Sequence, residues 1–495
     1  MKVLLALDQG TTSSRALVLA ADGRILASAQ QETRQSYPRP GWVEQDALQI
    51  WETQRATARE ALRLAGVPAA AVAAVGIANQ RETTIVWERA TSRPIAPAIV
   101  WQDRRTADTC EELRRAGHEP LVQARTGLLL DPYFSATKLR WILQHVEGAA
   151  ERARRGELAF GTVDSWLIWM LSGGRLHVTD ATNASRTMLY DLRRGDWDDE
   201  LLKLLEIPRE LLPAVVDSSG LLGECEEDIF GAPLPLAAVA GDQQAALFGL
   251  ACHTEGMAKV TYGTGCFLLM HTGQRPLPSS QGLLSTVALQ RDGKRSYALE
   301  GSVFIGGAAV QWLRDGLGIV HQAADIEPLA AGAPADGGVF FVPALTGLGA
   351  PQWDPHARGA ILGITRGTSA AHIARAALEG IAFQVADLIT AAAESGVRPL
   401  EVRADGGASA SDILMQRQAD LLKIPVVRAA QAEATALGAA YLAGMAVGLL
   451  GEDDVDRLWR AGRRFDPDPS TDRERLMGDW HAAVSAVRAF GARGG

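Results

Sequence analysis

Cysteine is scarce in this 495-residue chain, and the four present, Cys110, Cys225, Cys252 and Cys266, stand far apart with no Cys-x-x-Cys pair. That spacing argues against a disulfide framework or a zinc site and suits a reducing compartment. Basic residues are not in excess. With 49 Lys and Arg against 58 Asp and Glu, the net charge is −9 and the pI near 5.6, which speaks against a general nucleic-acid binder. An anionic ligand would then be held by local loops and single arginines. Long apolar runs are missing too. Asp8 cuts short the N-terminal run, so no signal peptide is expected. The most membrane-like segment, Ala434 to Leu450, is rich in alanine and glycine and reads as a buried helix packed closely on a neighbour. A cytoplasmic protein is expected.

The common nucleotide signatures are also absent. There is no Gly-x-x-x-x-Gly-Lys-Ser/Thr, no Gly-x-Gly-x-x-Gly opening a helix behind a first strand, and no His-Arg-Asp or Asp-Phe-Gly set. P-loop, dinucleotide-binding and protein-kinase readings therefore fall away. The length exceeds what one hydrophobic core supports, so two or more domains are expected. The 47% hydrophobic and 22% charged composition is that of a folded globular chain.

What is present starts at Val3. The stretch Val3 to Arg15, VLLALDQGTTSSR, reads as a strand, a tight loop and a second strand, with Asp22-Gly23 as a following turn. Thr11, Thr12, Ser13 and Arg15 supply hydroxyl donors and one cation beside loop N–H groups, the groups that hold a phosphate tail. Asp8 at the strand end would face an accompanying Mg²⁺ through water. Met257 to Met270, MAKVTYGTGCFLLM, repeats the plan in weaker form, and Asp405-Gly406-Gly407 follows a further short strand. Three strand-end glycine loops over two halves suggest a nucleotide held between domains.

Candidate chemistry lies in three further places. Gly241-Asp242-Gln243-Gln244 joins an apolar strand to a small-residue helix. Asp242 there is either a general base that takes a hydroxyl proton or a plain helix N-cap. Gln80-Arg81-Glu82 places opposite charges between two apolar strands, either a surface turn or a set of donors and acceptors for a polyhydroxylated molecule. Trp101 and Tyr133 are either core residues or flat walls for C–H groups. A helix is expected from Asp46 to Leu64 with Asp46 as its cap, and another from Ser135 to Glu147.

The segments DQGTTSSR, GWVEQD, NQRETTIVW, DPYFSATK, GTVDSWLIW, DATNASRTML, GDQQAALFG, TYGTGCF, VFFVPALTGLGAPQWDPHARG and TALGAAYLAG, in order from about Val3 to Gly448, resemble the FGGY family of carbohydrate kinases. NQRETT and DPYFS resemble its glycerol-phosphorylating members. The resemblance implies an α/β, two-domain actin-like (ribonuclease H-like) ATPase fold with an interdomain cleft. Residues 1–250 would form the glycerol and phosphate-loop domain, 256–448 the nucleotide domain, and 449–495 a helical tail. It implies ATP and Mg²⁺ as cofactors and Thr11, Thr12, Ser13, Arg15 and Thr264 on the phosphates. Gly307, Gln311, Gly407 and Ser411 would line the adenosine side. Glycerol would meet Arg81, Glu82, Trp101, Tyr133, Asp242, Gln243 and Phe267, with Asp242 as base. Ser411 stands where the family usually has asparagine, so a modest rise in the ATP KM is expected. The stretch Asp228 to Pro233 lacks the arginine of members controlled by fructose 1,6-bisphosphate, so no inhibition by that compound is expected. A homo-oligomer, dimer or tetramer, is expected by analogy, with no nucleic-acid partner and no integral membrane segment. A kinase for another polyol or ketose, such as D-xylulose, is the alternative within the fold, and a non-catalytic actin-like protein the alternative outside it.

Overall fold

The computed structural model describes residues 2–278, 281–334 and 337–492. Two sheets dominate it. The first holds β1 (Val3–Gln9), β2 (Ser13–Ala20), β3 (Ile25–Glu32), β4 (Val72–Asn79), β5 (Ser219–Glu224) and β6 (Pro235–Gly241), in the order β5-β6-β4-β1-β2-β3. β1 to β3 form an antiparallel meander, while β4 runs parallel to β1 and β6 parallel to β4. Near-continuous burial of β1, β4 and β6 explains their apolar runs, as expected of strands covered on both faces.

The second sheet holds β7 (Met257–Tyr262), β8 (Cys266–His271), β9 (Leu284–Arg291), β10 (Lys294–Val303), β11 (Glu401–Asp405), β12 (Val426–Ala429) and β13 (Ala461–Phe465). Its order is β9-β10-β8-β7-β11-β12-β13. Again a hairpin, β7–β8, is extended on one side by an antiparallel strand and on the other by two parallel ones. The ribonuclease H-like plan is thus built twice.

The helices place the rest. α1 (Ala47–Ala65) is capped by Asp46, whose side chain accepts from the Leu48 N–H. α2 (Ser135–His145) leads away from Tyr133. α3 (Asp242–Gly249) starts directly at the end of β6. α4 (Ala308–Asp315), α5 (Ala370–Glu394) and α6 (Asp412–Leu422) cover the second sheet, with α5 at the centre of its core.

Three sequence expectations need correction. Among the described residues the helix both long and apolar enough to cross a membrane is α5, not Ala434 to Leu450, and its apolar window is 89% buried inside the protein. The helix that does form there, α7 (Ala434–Ala446), packs on the first sheet although it belongs to the second half of the chain. Its closest approach is to α3, where Gly438 faces Ala245 and Gly249 faces Ala434. A Cβ on Gly438 would lie 1.8 Å from the Ala245 carbonyl oxygen, so only glycine permits this crossing. Finally, residues after 448 are not simply a helical tail. β13 joins the second sheet antiparallel to β12, and α8 (Arg473–Gly491) buries Trp480, whose ring stacks on Phe383 with centroids 5.1 Å apart.

Candidate active site

The candidate phosphate loop is the β1–β2 turn. Gly10 N–H donates to Ser13 O at 2.9 Å, and the loop carbonyls are turned outward: Thr11 O accepts from Gln45 Nε2 at 2.7 Å and Thr12 O from Thr33 N–H at 2.9 Å. The hydroxyls of Thr12 and Ser13 bond to no other described side chain or backbone group. Thr11 differs, since its Oγ1 accepts from the Trp101 indole N–H at 2.9 Å. Trp101 stands edge-on to Tyr133 with ring centroids 5.6 Å apart. The Trp101–Tyr133 pair is therefore tied directly to the β1–β2 loop.

Arg15 pairs through Nη1 with Glu433, at the start of α7, and through Nη2 with Gln30 at 2.8 Å. Asp8, partly exposed at the end of β1, has its carboxyl pushed up to about 7 by withdrawal from water and by the Asp242 charge, against the pull of Arg15. Among the described residues, no group of three or more His, Cys, Asp or Glu is arranged to hold a metal. One or two carboxylates facing a phosphate loop are nonetheless the donor set that Mg²⁺ uses when it keeps waters and binds with a nucleotide. The mutual repulsion of Asp8 and Asp242 is what a divalent cation would relieve. The residues fit the ion.

The second sheet carries the other glycine loops. Gly307 N–H donates to Gly263 O at 2.8 Å, and Gly306 and Ala308 N–H groups donate to Thr264 O at 2.8 and 3.1 Å, so the Thr264 loop and the start of α4 form one surface with Gln311 exposed on it. Gly406, at φ 86°, lies against the Tyr262 backbone, where a Cβ would meet the carbonyl oxygen at 2.6 Å. Gly407 next to it is exposed, and the following Ala408 lies against Gly307. Ser411 is placed differently from the expectation. Its hydroxyl donates to Glu327 and accepts from Leu414 N–H at 3.1 Å as the cap of α6, leaving it no hydrogen for an adenine base.

The residues expected on the polyol side form a largely buried set of charges. Asp242 is not a helix cap, because Gly241 occupies that position. It is the first helical residue, its side chain 29% exposed, with Oδ1 accepting from Gln243 N–H at 2.7 Å and lying 3.4 Å from Arg81 Nε. Arg81 and Glu82 are not a surface turn either, being 3% and 1% exposed. Glu82 adopts φ 63°, a left-handed conformation that costs about 1–3 kcal/mol for a residue other than glycine. Its carbonyl is gripped by the Ser135 hydroxyl at 3.0 Å and the Thr84 hydroxyl at 3.1 Å. Arg81 Nη2 lies 3.5 Å from the Tyr133 hydroxyl. Burial raises the Glu82 carboxyl above the usual range, in spite of Arg81 and Arg186. Phe267 sits between Thr261 and Ser302 on the sheet face that meets this cluster.

Several residues of the site are not evident from the sequence. Arg186 donates to Glu82 at 2.6 Å and to Glu300 at 2.9 Å, and Arg81 donates to Glu300 at 2.6 and 3.0 Å. Burial alone would raise the Glu300 carboxyl, but Arg186 and Arg81 hold it at about 2. Asp180, Thr182 and Asn183 pin the strand ends: Thr182 Oγ1 accepts from Gly241 N–H at 2.9 Å, and Asn183 exchanges side-chain hydrogen bonds with Asn79 at 2.9 and 3.1 Å. Lys259 reaches from β7 to Gln243 and donates to Thr261 at 2.8 Å.

Two copies of one fold, with a buried set of opposite charges joining them at Arg81, Arg186 and Glu300, define the actin-like ATPase class to which sugar and polyol kinases belong. The N-terminal domain model of the FGGY family of carbohydrate kinases matches residues 3–249 and its C-terminal domain model residues 258–447, and the chain belongs to this family. Among curated proteins it is 60% identical over 493 residues to a glycerol kinase of Aromatoleum aromaticum, covering 99% of each chain. It is equally 60% identical to a glycerol kinase of Ralstonia nicotianae, again over 99% of both. Among solved structures, Plasmodium falciparum glycerol kinase with ADP superposes with a TM-score of 0.93 at 32% identity, over 98% of each chain.

Proposed function

We infer that this chain transfers the γ-phosphoryl group of ATP to a terminal hydroxyl of glycerol, giving sn-glycerol 3-phosphate and ADP. The relatives named glycerol kinase, similar over nearly the full length, support the reaction. The observation that carries its assignment to this site is the position of Asp242: partly exposed, one residue into a helix, beside the Arg81–Glu82 pair and electrostatically coupled to Asp8.

Glycerol is a weak nucleophile, and phosphoryl transfer asks mainly for positioning and charge neutralisation. Arg81, Glu82 and the Tyr133 hydroxyl would bind the hydroxyls, with Gln243 beside them, and Trp101 and Phe267 would meet the C–H faces. Asp242 would take the proton of the attacking hydroxyl as its bond to phosphorus forms. Holding both reactants in line is worth on the order of 7–11 kcal/mol of barrier. Thr11, Thr12, Ser13, Arg15 and Thr264 would hold the phosphates, with Gly307, Gln311 and Gly407 along the adenosine. Mg²⁺, when bound with the nucleotide near Asp8, supplies charge neutralisation on the transferring group. The four free, buried cysteines suit a cytoplasmic enzyme.

The test is ADP release with glycerol, dihydroxyacetone, D-xylulose and gluconate, using wild type and Asp242→Asn. Glycerol should be the preferred acceptor and Asp242→Asn should lose turnover by about 100-fold or more. Preference for D-xylulose would overturn the substrate, and a largely active Asp242→Asn would overturn the base.

A further inference from the structure

Glu300 lies in the middle of β10, in the apolar stretch Tyr297 to Val303, and is fully buried. A carboxylate in such a place is tolerated only with cationic partners. Its partners come from the other domain. Both of its oxygens are used by Arg81, through Nη1 at 2.6 Å and Nη2 at 3.0 Å, and Oε1 also accepts from Arg186 at 2.9 Å. The register of the second sheet sets Lys259, Leu269 and Glu300 side by side on one face. That face thus offers a carboxylate to Arg81 and an ammonium to Gln243, while Leu269 between them packs with Ala246 and Leu247 of α3.

The consequence falls on Arg81. Its guanidinium has three carboxylates within reach: Glu300 by a short bidentate contact, Asp242 at 3.4 Å and Glu82 at 3.8 Å from Nε. Bidentate pairing is the stronger and more directional choice, so Glu300 decides where the fork points. Without it, a buried guanidinium would turn to the carboxylates that remain, and Asp242 would be drawn into an ion pair in place of a hydroxyl.

We propose that Glu300 is a positioning residue for phosphoryl transfer: it fixes the Arg81 fork from across the domain boundary and keeps the Asp242 carboxylate available to the polyol. The pocket is then complete only while the second sheet is docked on the first. This rests on the reading of Asp242 and glycerol given above.

Glu300→Gln keeps the shape and removes the charge. Steady-state kinetics should show the glycerol KM raised about 10-fold or more and kcat lowered about 10- to 100-fold, with the ATP KM within about 2-fold of wild type. Glu300→Asp, which keeps the charge one methylene further back, should fall between the two. Because Glu300→Gln leaves an excess of buried positive charge, the double variant Glu300→Gln/Arg186→Gln restores the balance. It should regain thermal stability yet keep the raised glycerol KM, since Arg81 still lacks its fork partner. A purely structural Glu300 would lower the melting temperature without separating the two KM values. Wild-type glycerol kinetics in any folded variant, or equal rises in both KM values, would overturn the proposal. A wild-type protein that fails to phosphorylate glycerol would instead overturn the reading on which it rests.

Discussion

Replacing Gly438 by alanine should damage catalysis from behind the active site. Gly438 lies on α7 where this helix crosses α3, and the added Cβ would stand 1.8 Å from Ala245 O and 2.6 Å from Ala245 C. Ordinary C···O contact is near 3.3 Å, so the helices must separate by about 1.5 Å. Neither can give easily: Gly249 of α3 is pressed on the Ala434 carbonyl in return, and a Cβ added there would lie 2.1 Å from its oxygen. Overpacking of this kind costs about 1–3 kcal/mol or more. The displaced helix begins with Asp242, and a misplacement of about 1 Å at a reacting group can cost about 100-fold in rate. Urea unfolding and glycerol turnover should therefore fall together. Gly478, in α8 with nothing within 4 Å of a Cβ, is the control, and Gly478→Ala should be neutral or stabilising by up to about 1 kcal/mol. Wild-type urea midpoint and kcat in Gly438→Ala would refute the idea that this crossing fixes Asp242.

The raised Asp8 carboxyl, at about 7, predicts a pH-dependent Mg²⁺ requirement. Below that pH the free protein carries a proton that the cation must displace, so the apparent Mg²⁺ affinity should weaken by up to about 10-fold per pH unit. Mg²⁺ titrations of turnover from about pH 6 to about pH 8 should show a steeper dependence in wild type than in Asp8→Asn, the nucleotide's own titration being common to both. The same shift means that Asp8 takes stability from the unliganded protein as pH rises from its ordinary 3.8 to about 7, because the folded state holds the proton more tightly. Trp101→Phe keeps the ring against Tyr133 and deletes the 2.9 Å bond to Thr11. It should reduce kcat/KM for ATP by about 2- to 10-fold, the value of one hydrogen bond, whereas a change confined to glycerol would mean that the indole serves only as a wall.

The phosphate loop, the Arg81–Glu82 pair and Asp242 were legible because each sits where a short apolar strand stops, and a strand end is a local pattern. Glu300 and Arg186 were not. Glu300 is one charge inside an apolar strand, and the partner that makes it tolerable is 219 residues away in sequence. The usable signal was the burial itself, since carboxylates are almost never fully buried unpaired. β13 was missed for the opposite reason: of Ala461 to Phe465 only Phe465 is buried, so the edge strand shows no alternation. The composition of α7 announced a buried helix but carried nothing to say which sheet it would cover. Ser411 was judged by what its family counterpart touches, whereas its own neighbour Glu327 comes from a separate helix.

The placement of α7 has a consequence for biosynthesis. One face of the first sheet, including Leu4, Ala6, Leu17, Leu19, Ala74, Ala78, Ala238 and Ala240, is covered by Ala436, Leu437, Ala439, Ala440, Tyr441 and Ala443. Ala436 follows Ala240 by 436 − 240 = 196 positions in the sequence. While the intervening residues are made, at about 5–20 residues per second, that apolar face lacks its α7 cover and has only Ala245, Phe248 and Ala251 packed beside it. A nonsense mutation shortly before α7 would therefore leave this apolar face without its helix in the fragment it releases.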